Sequence, residues 1–423
     1  MNYKKTTLKN NLRIITAPMK ETKTVTIMIG VGVGSRYERD DEAGISHFIE
    51  HMMFKGTKKR PVPRKIYEEI DSVGGKFNAF TGKSRTFYYV KVDAKHTDRV
   101  LDVIFDIFLN SKMDSREIEK ERGTILQELS MYEDLPMKSV TDVFEKLLYG
   151  KHPLGREIIG TKKTINNLKR EDFLNYLKHF YVASNTVVCV AGQLNENDIL
   201  KKINNYFSKI RKGNKIDFER VTEKQASPKI KIKNKKSDQT HFILGVRAYN
   251  REHKDYYVMQ LLANIFGGNM SSRLFIEIRE KRGLAYYINA DSEEYQDVGY
   301  FSVSAGVQHN KVKEVLEIIL KEFKKITKRK VSELELQKAK DCIKGKMVMN
   351  LESSDAVAGF LLGQEILRGK IDDLKTVFKK IDKVTVDDIL RVSKDIFVSE
   401  KLNLAIVGPQ KRNERAIKRK LII

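Results

Sequence analysis

Two patterns of hydrophobic positions recur along the chain. Alternating or continuous apolar residues predict strands at Thr6–Pro18 and Thr24–Val33, and a hairpin at Phe77–Val92 with Gly82 and Lys83 near its turn. Apolar residues at spacings of three and four predict helices, which are Val62–Val73, Lys95–Asn110, Asp114–Glu133, Pro136–Tyr149 and Lys169–Phe180. This order predicts an α+β fold, with an antiparallel sheet that carries helices on one face.

The chain also contains an internal repeat. A segment that begins at Leu168, LKREDFLNYLKHFYVASNTVVCVAG, aligns without gaps on a segment that begins at Val384, VTVDDILRVSKDIFVSEKLNLAIVG. A repeated unit of strands and helices predicts two homologous domains in tandem, each an antiparallel sheet packed by helices. We expect an N-terminal domain at residues 1–210, a lysine-rich surface linker at 211–237 and a C-terminal domain at 238–423.

The segment GISHFIEHMMF combines two histidines and a glutamate with a helical pattern. His47 and His51 are four residues apart with Glu50 between them, so a helix places both imidazoles on one face beside a potential base. The neighbouring face is apolar and consists of Ile45, Phe48, Ile49, Met52 and Met53. The pattern indicates a buried helix with a metal-binding face, although two core histidines bonded to backbone groups would show the same spacing.

The helix predicted at Asp114–Glu133 supplies a candidate third ligand. Glu121 and Glu128 occupy seam positions where a helix usually carries apolar residues. An interior carboxylate is costly unless it is paired or binds a metal, and a solvated face or a salt bridge to a lysine is the alternative. With the two histidines, Glu128 gives a set of three ligands that leaves a fourth position open for water, as in catalytic zinc sites. Glu50 would then accept a proton, and Glu121 would orient a histidine or form a plain salt bridge.

These residues resemble the H-x-x-E-H zinc peptidases of the pitrilysin and insulinase type, the inverzincins. Within that group the chain most resembles the mitochondrial-processing-peptidase-like bacterial proteases. The likeness is carried by HFIEH, ERGTILQE and the later DLP, HPLG and GT elements, and it extends over nearly the whole chain. It implies a zinc endopeptidase with one zinc ion per chain, in which the ligands are His47, His51 and Glu128, the base is Glu50 and an accessory catalytic carboxylate is Glu121.

The resemblance also implies two substrate-binding elements. In the family, the strand that corresponds to Asn78, Ala79 and Phe80 is a sheet edge that pairs with an extended peptide; without the family it is simply a strand. Arg279 and Tyr286 resemble the arginine and tyrosine that hold the peptide backbone near the scissile bond. Taken alone, these two residues would be interpreted as a charge on a helix surface and a core aromatic.

The second half lacks the metal ligands. When Phe54 is matched to Phe266, the three positions of the H-x-x-E-H motif fall on Met259, Leu262 and Ala263. Glu128 falls on a lysine, which is Lys340 or Lys344 depending on the offset. The second domain is therefore expected to keep the fold without the metal chemistry.

The resemblance further implies a dimeric chamber that encloses peptide substrates. One chain would form half of the chamber, and a homodimer would bring Arg279 and Tyr286 of the partner subunit toward the zinc of the first chain; a heterodimer is also compatible with this organisation. Two alternatives remain open for the function. The chain could be the catalytic subunit of a heteromeric processing peptidase, or a non-catalytic scaffold subunit.

Composition and charge restrict the partners. A chain that is 41% hydrophobic and 32% charged is ordinary for a soluble globular protein. The net charge of +24 comes from lysines spread along both halves without interleaved aromatics, which favours a solvated surface over nucleic-acid binding. Apolar stretches are too short to span a membrane. Two distant cysteines, Cys189 and Cys342, and the lack of a secretory signal favour the cytoplasm.

Overall fold

The structure is a computed structural model that describes residues 2–208 and 210–423. The described strands form a six-stranded and a five-stranded sheet. The strands are β1 (Lys4–Thr7), β2 (Arg13–Pro18), β3 (Thr24–Val31), β4 (Lys76–Thr81), β5 (Thr86–Asp93), β6 (Thr186–Gly192), β7 (Lys229–Lys233), β8 (Thr240–Ala248), β9 (Ala285–Glu294), β10 (Gly299–Val307) and β11 (Leu402–Val407).

The described α-helices alternate with the strands in both halves of the chain. They are α1 (Ile45–Met52), α2 (Pro63–Asp71), α3 (Thr97–Asn110), α4 (Ser115–Asp134), α5 (Pro136–Tyr149), α6 (Lys162–Asn167), α7 (Arg170–Phe180), α8 (Glu196–Phe207), α9 (Tyr256–Gly267), α10 (Val312–Ile326), α11 (Glu333–Asn350), α12 (Ser354–Arg368), α13 (Leu374–Asp382), α14 (Val386–Ile396) and α15 (Glu414–Lys418). None of these helices is long and apolar enough to cross a membrane.

The elements predicted from the hydrophobic pattern are largely confirmed. The hairpin of β4 and β5 turns at Gly82, whose backbone N–H donates to the carbonyl oxygen of Arg85 at 2.8 Å. The predicted strand Thr6–Pro18 is wrong in one respect, because it is two strands joined by a turn. Asn11 has a φ of 70° in that turn, a conformation that asparagine tolerates better than most residues.

The first sheet has the order β1-β2-β6-β3-β5-β4 and is not wholly antiparallel as expected. β2 and β6 are parallel, whereas the other neighbouring pairs in this sheet are antiparallel. The long connection between β2 and β6 contains several helices, and a parallel pair requires such a crossover. β6 therefore enters the middle of the sheet, which a pattern of local hydrophobicity does not reveal.

Helices cover both faces of this sheet, so the expectation of helices on one face is also wrong. Val187, Cys189 and Ala191 of β6 pack with residues of α12. Val188 and Val190 are equally buried, and alternation along a strand directs them to the opposite face. On the face opposite α12, the ring of Tyr88 in β5 lies 6.1 Å from that of Phe108 in α3.

The second sheet repeats the first, which confirms the internal repeat. Its order β7-β11-β8-β10-β9 corresponds strand for strand to β2-β6-β3-β5-β4, and β7 and β11 form its parallel pair. The helix and strand of each aligned segment, α7 with β6 and α14 with β11, also correspond in the alignment. Gly192 and Gly408 have φ values of 125° and 152° at matching positions, where a side chain would be strained.

The chain forms two compact units that are not contiguous in sequence. Unit 1 comprises residues 1–129, 156–219 and 348–373, and unit 2 comprises 130–155, 220–347 and 374–423. These boundaries differ from the predicted domains at 1–210 and 238–423 because two helices exchange. α12 packs on the first sheet within unit 1, and α5 packs on the second sheet within unit 2.

The predicted linker at 211–237 is divided between the units and is not simply a surface segment. In unit 1 the guanidinium carbon of Arg36 lies 3.7 Å from the ring centroid of Phe218, a distance at which a cation and a ring attract. In unit 2 residues Lys229–Lys233 form β7. The divided segment is therefore anchored on both sides of the division at 219/220.

We expect Leu362→Ala to destabilise unit 1 by about 2–5 kcal/mol, because Leu362 is fully buried between α12 and the first sheet. Hydrogen exchange measured by mass spectrometry should show lost protection in β3 and β6 and unchanged protection in β8 and β11. Leu334→Ala is the control, since Leu334 is 81% exposed. Faster exchange in β8 and β11 without change in β3 and β6 would contradict the assignment of α12.

Candidate metal centre

Helix α1 presents the motif in the predicted manner. Ile45, Phe48, Ile49 and Met52 are buried, and His47 and His51 lie on the other side with 13% and 23% of their side chains exposed. The helix begins after Gly44, which has a φ of 97°. A Cβ at Gly44 would lie 2.6 Å from the carbonyl oxygen of Ile159, so glycine is required where the helix starts.

The N-terminus of α1 is capped by a carboxylate from the preceding loop, which sequence reasoning missed. Glu38 is 3% exposed and accepts hydrogen bonds from the backbone N–H groups of Gly44 at 2.8 Å and Ser46 at 2.9 Å. Burial raises the pKa of Glu38 to about 7, although the hydrogen bonds from Ser46 and Gly44 oppose that shift. A negative charge at a helix N-terminus is favourable, so Glu38 helps to fix the start of the helix.

Helix α4 brings Glu128 to the two histidines. Glu128 Oε1 lies 3.7 Å from His47 Nε2, and Glu128 Oε2 lies 3.6 Å from His51 Nε2. The three potential ligand atoms lie within 4.8 Å of one another, and no other group of three such residues occurs within 2–208 and 210–423. Ligands at about 2.0–2.2 Å from a tetrahedral zinc are roughly 3.3–3.5 Å apart. The residues therefore fit a zinc ion with little adjustment.

The protonation of His47 suits metal binding. Burial, with a smaller effect from the neighbouring His51, lowers the pKa of His47 to about 3, and the neutral imidazole is the form that binds a metal. Its Nδ1 is buried and has no hydrogen-bond partner among the described residues. Packing positions the ring instead, since its centroid lies 4.7 Å from that of His51.

Glu121 contacts His51 on the side away from Glu128. Glu121 Oε1 lies 2.7 Å from His51 Nδ1, and Glu121 Oε2 lies 2.5 Å from the Nζ of Lys55. Burial would raise the pKa of Glu121, but the hydrogen bonds from His51 and Lys55 outweigh it and lower that pKa. A carboxylate bonded to the second nitrogen of a ligating histidine fixes its tautomer and ring orientation. This geometry fits the accessory role expected for Glu121.

Glu50 is held beside the histidines by a residue that sequence reasoning missed. Thr81 Oγ1 donates a hydrogen bond to Glu50 Oε2 at 2.6 Å. Burial raises the pKa of Glu50, while the hydrogen bond from Thr81 and the charge of His51 oppose the shift. Thr81 lies on β4, so the candidate base is bonded to the strand that also carries Asn78 and Phe80.

Strand β4 is an edge of the first sheet, as the resemblance implied for Asn78, Ala79 and Phe80. Among the described strands, β4 has β5 as its single neighbour in the sheet. Asn78 is exposed and Phe80 is 40% exposed. The backbone N–H of Ala79 donates to the Oδ1 of Asn78 at 2.9 Å, so this donor is bonded to the side chain of its neighbour and not to another strand. The strand can therefore pair with another extended segment.

Arg279 and Tyr286 lie together in unit 2. The guanidinium carbon of Arg279 lies 5.0 Å from the ring centroid of Phe275 and 6.0 Å from that of Tyr286. Arg279 belongs to a π-helical segment, Phe275–Glu280, a conformation that often occurs at functional sites. Tyr286 is 74% exposed on the edge strand β9, so the alternative that it is a core aromatic is wrong.

The corresponding positions of unit 2 lack metal chemistry, as expected. Met259 and Leu262 are fully buried on α9 and Ala263 is nearly so. Lys340 donates to the carbonyl oxygen of Asp382 at 3.0 Å, and Lys344 lies 2.8 Å from the carboxylate of the same aspartate. This region is an apolar core edged by salt bridges.

Two family models match the chain. The one described as Insulinase (Peptidase family M16) matches residues 13–162, and the one described as Peptidase M16 inactive domain matches residues 167–342. An "uncharacterized zinc protease" of Rickettsia felis is 37% identical over 414 residues, which cover 96% of this chain and 98% of that protein. The chain belongs to peptidase family M16. The "uncharacterized zinc protease YmxG" of Bacillus subtilis is 32% identical over 410 residues, with the same coverage.

Solved structures of similar proteins share the fold. A protease from Helicobacter pylori superimposes with a TM-score of 0.91 at 24% identity and covers 96% of this chain and 99% of that chain. A peptidase M16 inactive domain from Pseudomonas fluorescens has a TM-score of 0.89 at 19% identity and covers 97% and 98%. The Insulinase match contains the H-x-x-E-H motif of α1. The inactive-domain match contains α9, the corresponding helix of the second half, which has no metal-binding side chains at the motif positions.

We expect the purified protein to bind about one zinc ion per chain, and Glu128→Gln to lose most of it on dialysis against a weak chelator. The variant keeps the size of the side chain but removes the charge that completes the ligand set. Glu119→Gln, an exposed position on the same helix, is the control. Zinc content is measured by inductively coupled plasma mass spectrometry, and a full complement in Glu128→Gln would exclude Glu128 as a ligand.

Proposed function

We propose that this M16 protein is a zinc-dependent endopeptidase that hydrolyses extended peptides or unfolded segments. The observation that carries the proposal is the convergence of His47, His51 and Glu128, with their ligand atoms within 4.8 Å and Glu50 next in sequence to His51. Relatives named as zinc proteases support the same chemistry. Two neutral imidazoles and one carboxylate leave a bound zinc with net positive charge and an open position, which is typical of catalytic sites.

In the proposed reaction Glu50 transfers a proton twice, first as a base and then as an acid. A zinc ion in this site supplies Lewis acidity that acidifies water and polarises a peptide carbonyl. Glu50 accepts a proton from the water molecule as the water oxygen bonds to the carbonyl carbon. Glu50 then donates that proton to the nitrogen of the departing amine as the C–N bond breaks. Burial raises the pKa of Glu50, which makes its carboxylate a stronger base.

Strand β4 is the proposed binding site for the substrate backbone. Its free edge can form main-chain hydrogen bonds with an extended peptide, and alternate side chains would then face Asn78 and Phe80. The hydrogen bond between Thr81 and Glu50 links this edge to the base. A peptide paired along β4 is thus placed beside the residue that moves the proton, and such pairing favours extended over folded substrates.

Arg279 and Tyr286 are proposed to hold the substrate backbone near the scissile bond. Both side chains are exposed and adjacent, and a guanidinium and a phenol can donate hydrogen bonds to peptide carbonyl oxygens. The family resemblance supports a homodimer in which Arg279 of the partner subunit serves the first chain's zinc. Such a chamber would admit peptides and exclude folded proteins.

Two neighbouring interpretations differ in what they require. A catalytic subunit of a heteromeric processing peptidase would need another chain for activity, whereas a homodimer cleaves alone. A non-catalytic scaffold is less well supported, because His47, His51, Glu50 and Glu128 are all in place. We expect peptides to be the partners, with neither nucleic acid nor membrane involved.

A cytoplasmic location is part of the proposal. Cys189 is buried, Cys342 is half-buried, and both thiols are free. Burial raises the pKa of Cys189, so its thiol stays protonated and unreactive. Free thiols of this kind are compatible with a reducing compartment.

We expect Glu50→Gln to keep its zinc and lose peptide cleavage by about 10²–10⁴-fold, the usual contribution of a general base. The amide retains the size of the side chain but cannot accept the proton. Initial rates on an internally quenched peptide and zinc content are measured on the same sample. Glu68→Gln, an exposed position on α2, serves as the control, and full activity in Glu50→Gln would remove Glu50 from the mechanism.

We expect Arg279→Ala to lower cleavage by at least about tenfold without releasing zinc, because a charge-assisted hydrogen bond contributes about 1.5–3 kcal/mol. Glu50→Gln and Arg279→Ala chains are then mixed, unfolded together and refolded. If the arginine acts in the partner's site, mixed dimers recover activity at one of their two sites. Inactivity of a mixture shown to contain mixed dimers would exclude action between subunits.

A further inference from the structure

Lys55 completes a chain of contacts that leads to the metal centre. In this series of contacts, His51 Nδ1 lies 2.7 Å from Glu121 Oε1, and Glu121 Oε2 lies 2.5 Å from Lys55 Nζ. Only 8% of the Glu121 side chain and 21% of the Lys55 side chain are exposed. Ion pairs withdrawn from water are screened less and hold their geometry better than surface pairs. The two oxygens of Glu121 thus join a histidine and a lysine.

The backbone at Lys55 is fixed by the turn that ends α1. The backbone N–H of Lys55 donates to the carbonyl oxygen of Met52 at 3.1 Å. The backbone N–H of Lys112 donates to the carbonyl oxygen of Gly56 at 3.1 Å. Gly56 has a φ of 122°, and a Cβ there would lie 2.9 Å from the carbonyl oxygen of Pro61. The Cα of Lys55 is therefore held at a fixed place from which its side chain reaches Glu121.

The negative charge of the surrounding carboxylates also favours a cation beside Glu121. Glu50, Glu121 and Glu128 give three carboxylates in one region, which a zinc ion neutralises only in part. The ammonium of Lys55 supplies the remaining positive charge. Without it, the buried carboxylate of Glu121 would lose the partner of its Oε2, and removing one partner of a buried ion pair leaves an uncompensated charge that favours rearrangement of the pair.

We propose that Lys55 is a positioning residue of the metal centre, which holds Glu121 in the rotamer that accepts the hydrogen bond of His51 and thereby directs the Nε2 of His51 to the metal. The inference rests on the proposed zinc site and extends it by one residue. Lys55 touches neither the ligand atoms nor the substrate in this role. Its effect on the metal therefore passes through Glu121.

The role predicts a change in metal affinity. Lys55→Met keeps the length of the side chain and removes its charge, so Glu121 is no longer held and His51 becomes less well oriented. Loss of an outer partner of a metal ligand typically weakens binding by about 10–100-fold, and we expect a zinc dissociation constant raised by that factor. Lys55→Arg retains a cation at the same place and should recover most of the affinity.

The test measures zinc affinity by competition with a chromophoric chelator in the wild type and in Lys55→Met, Lys55→Arg, Glu121→Gln and the double variant Lys55→Met/Glu121→Gln. Lys58→Met is the matched control, because Lys58 is exposed and only three residues away. Thermal unfolding of each metal-free protein checks that the fold is intact. If Lys55 acts through Glu121, the double variant binds zinc as weakly as Glu121→Gln alone.

The outcomes separate this inference from the proposed function. Wild-type affinity in Lys55→Met, or additive losses in the double variant, would overturn the positioning role while leaving the peptidase proposal intact. Wild-type protein that binds zinc but cleaves no peptide would overturn the peptidase proposal, and the affinity series would still decide the role of Lys55. A wild type that binds no zinc would overturn both.

Discussion

The candidate metal centre depends on the burial of one face of α1, because that burial determines which way the opposite face points. Phe48 is fully buried, and its ring lies 4.8 Å from that of Phe173 on α7. Burying a side chain of this size is worth about 1.5–3 kcal/mol, so rotation of the helix about its axis is strongly opposed. His47 and His51 are therefore presented in a constant orientation, and Glu128 of α4 approaches both imidazoles at one position.

Local features of the centre could be predicted from the sequence, and non-local ones could not. His47, Glu50 and His51 are related by the period of one helix, which a sequence displays directly, and Glu128 was found because a carboxylate stands in a helical seam. Lys55 lies beyond the last turn of α1, so the helical period does not place it, and its contact with Glu121 could not be predicted from the sequence. Thr81 and Glu38 reach α1 from other elements, and nothing in their own segments indicates that contact.

The fold shows the same division between local and non-local information. The strands and helices predicted for the first half agree with the structure to within a few residues, apart from the turn between β1 and β2, and the repeat gave the likeness of the two sheets. The insertion of β6 between β2 and β3 and the burial of both its faces depend on the crossover connection. In the second copy, buried Met259 and Ala263 stand in the places of His47 and His51, so the copy keeps the packing and avoids the cost of buried polar groups.

The exchange of α5 and α12 has a consequence for how such a chain could have arisen. The two helices occupy equivalent places in the repeat, and each covers the sheet encoded mainly by the other half. If a half-length precursor used the same packing, its helix would cover the sheet of a second molecule, as in a swapped dimer. Gene fusion turns that exchange into an intramolecular event, so that assembly no longer depends on protein concentration. One copy is then released to lose its metal while the other retains it.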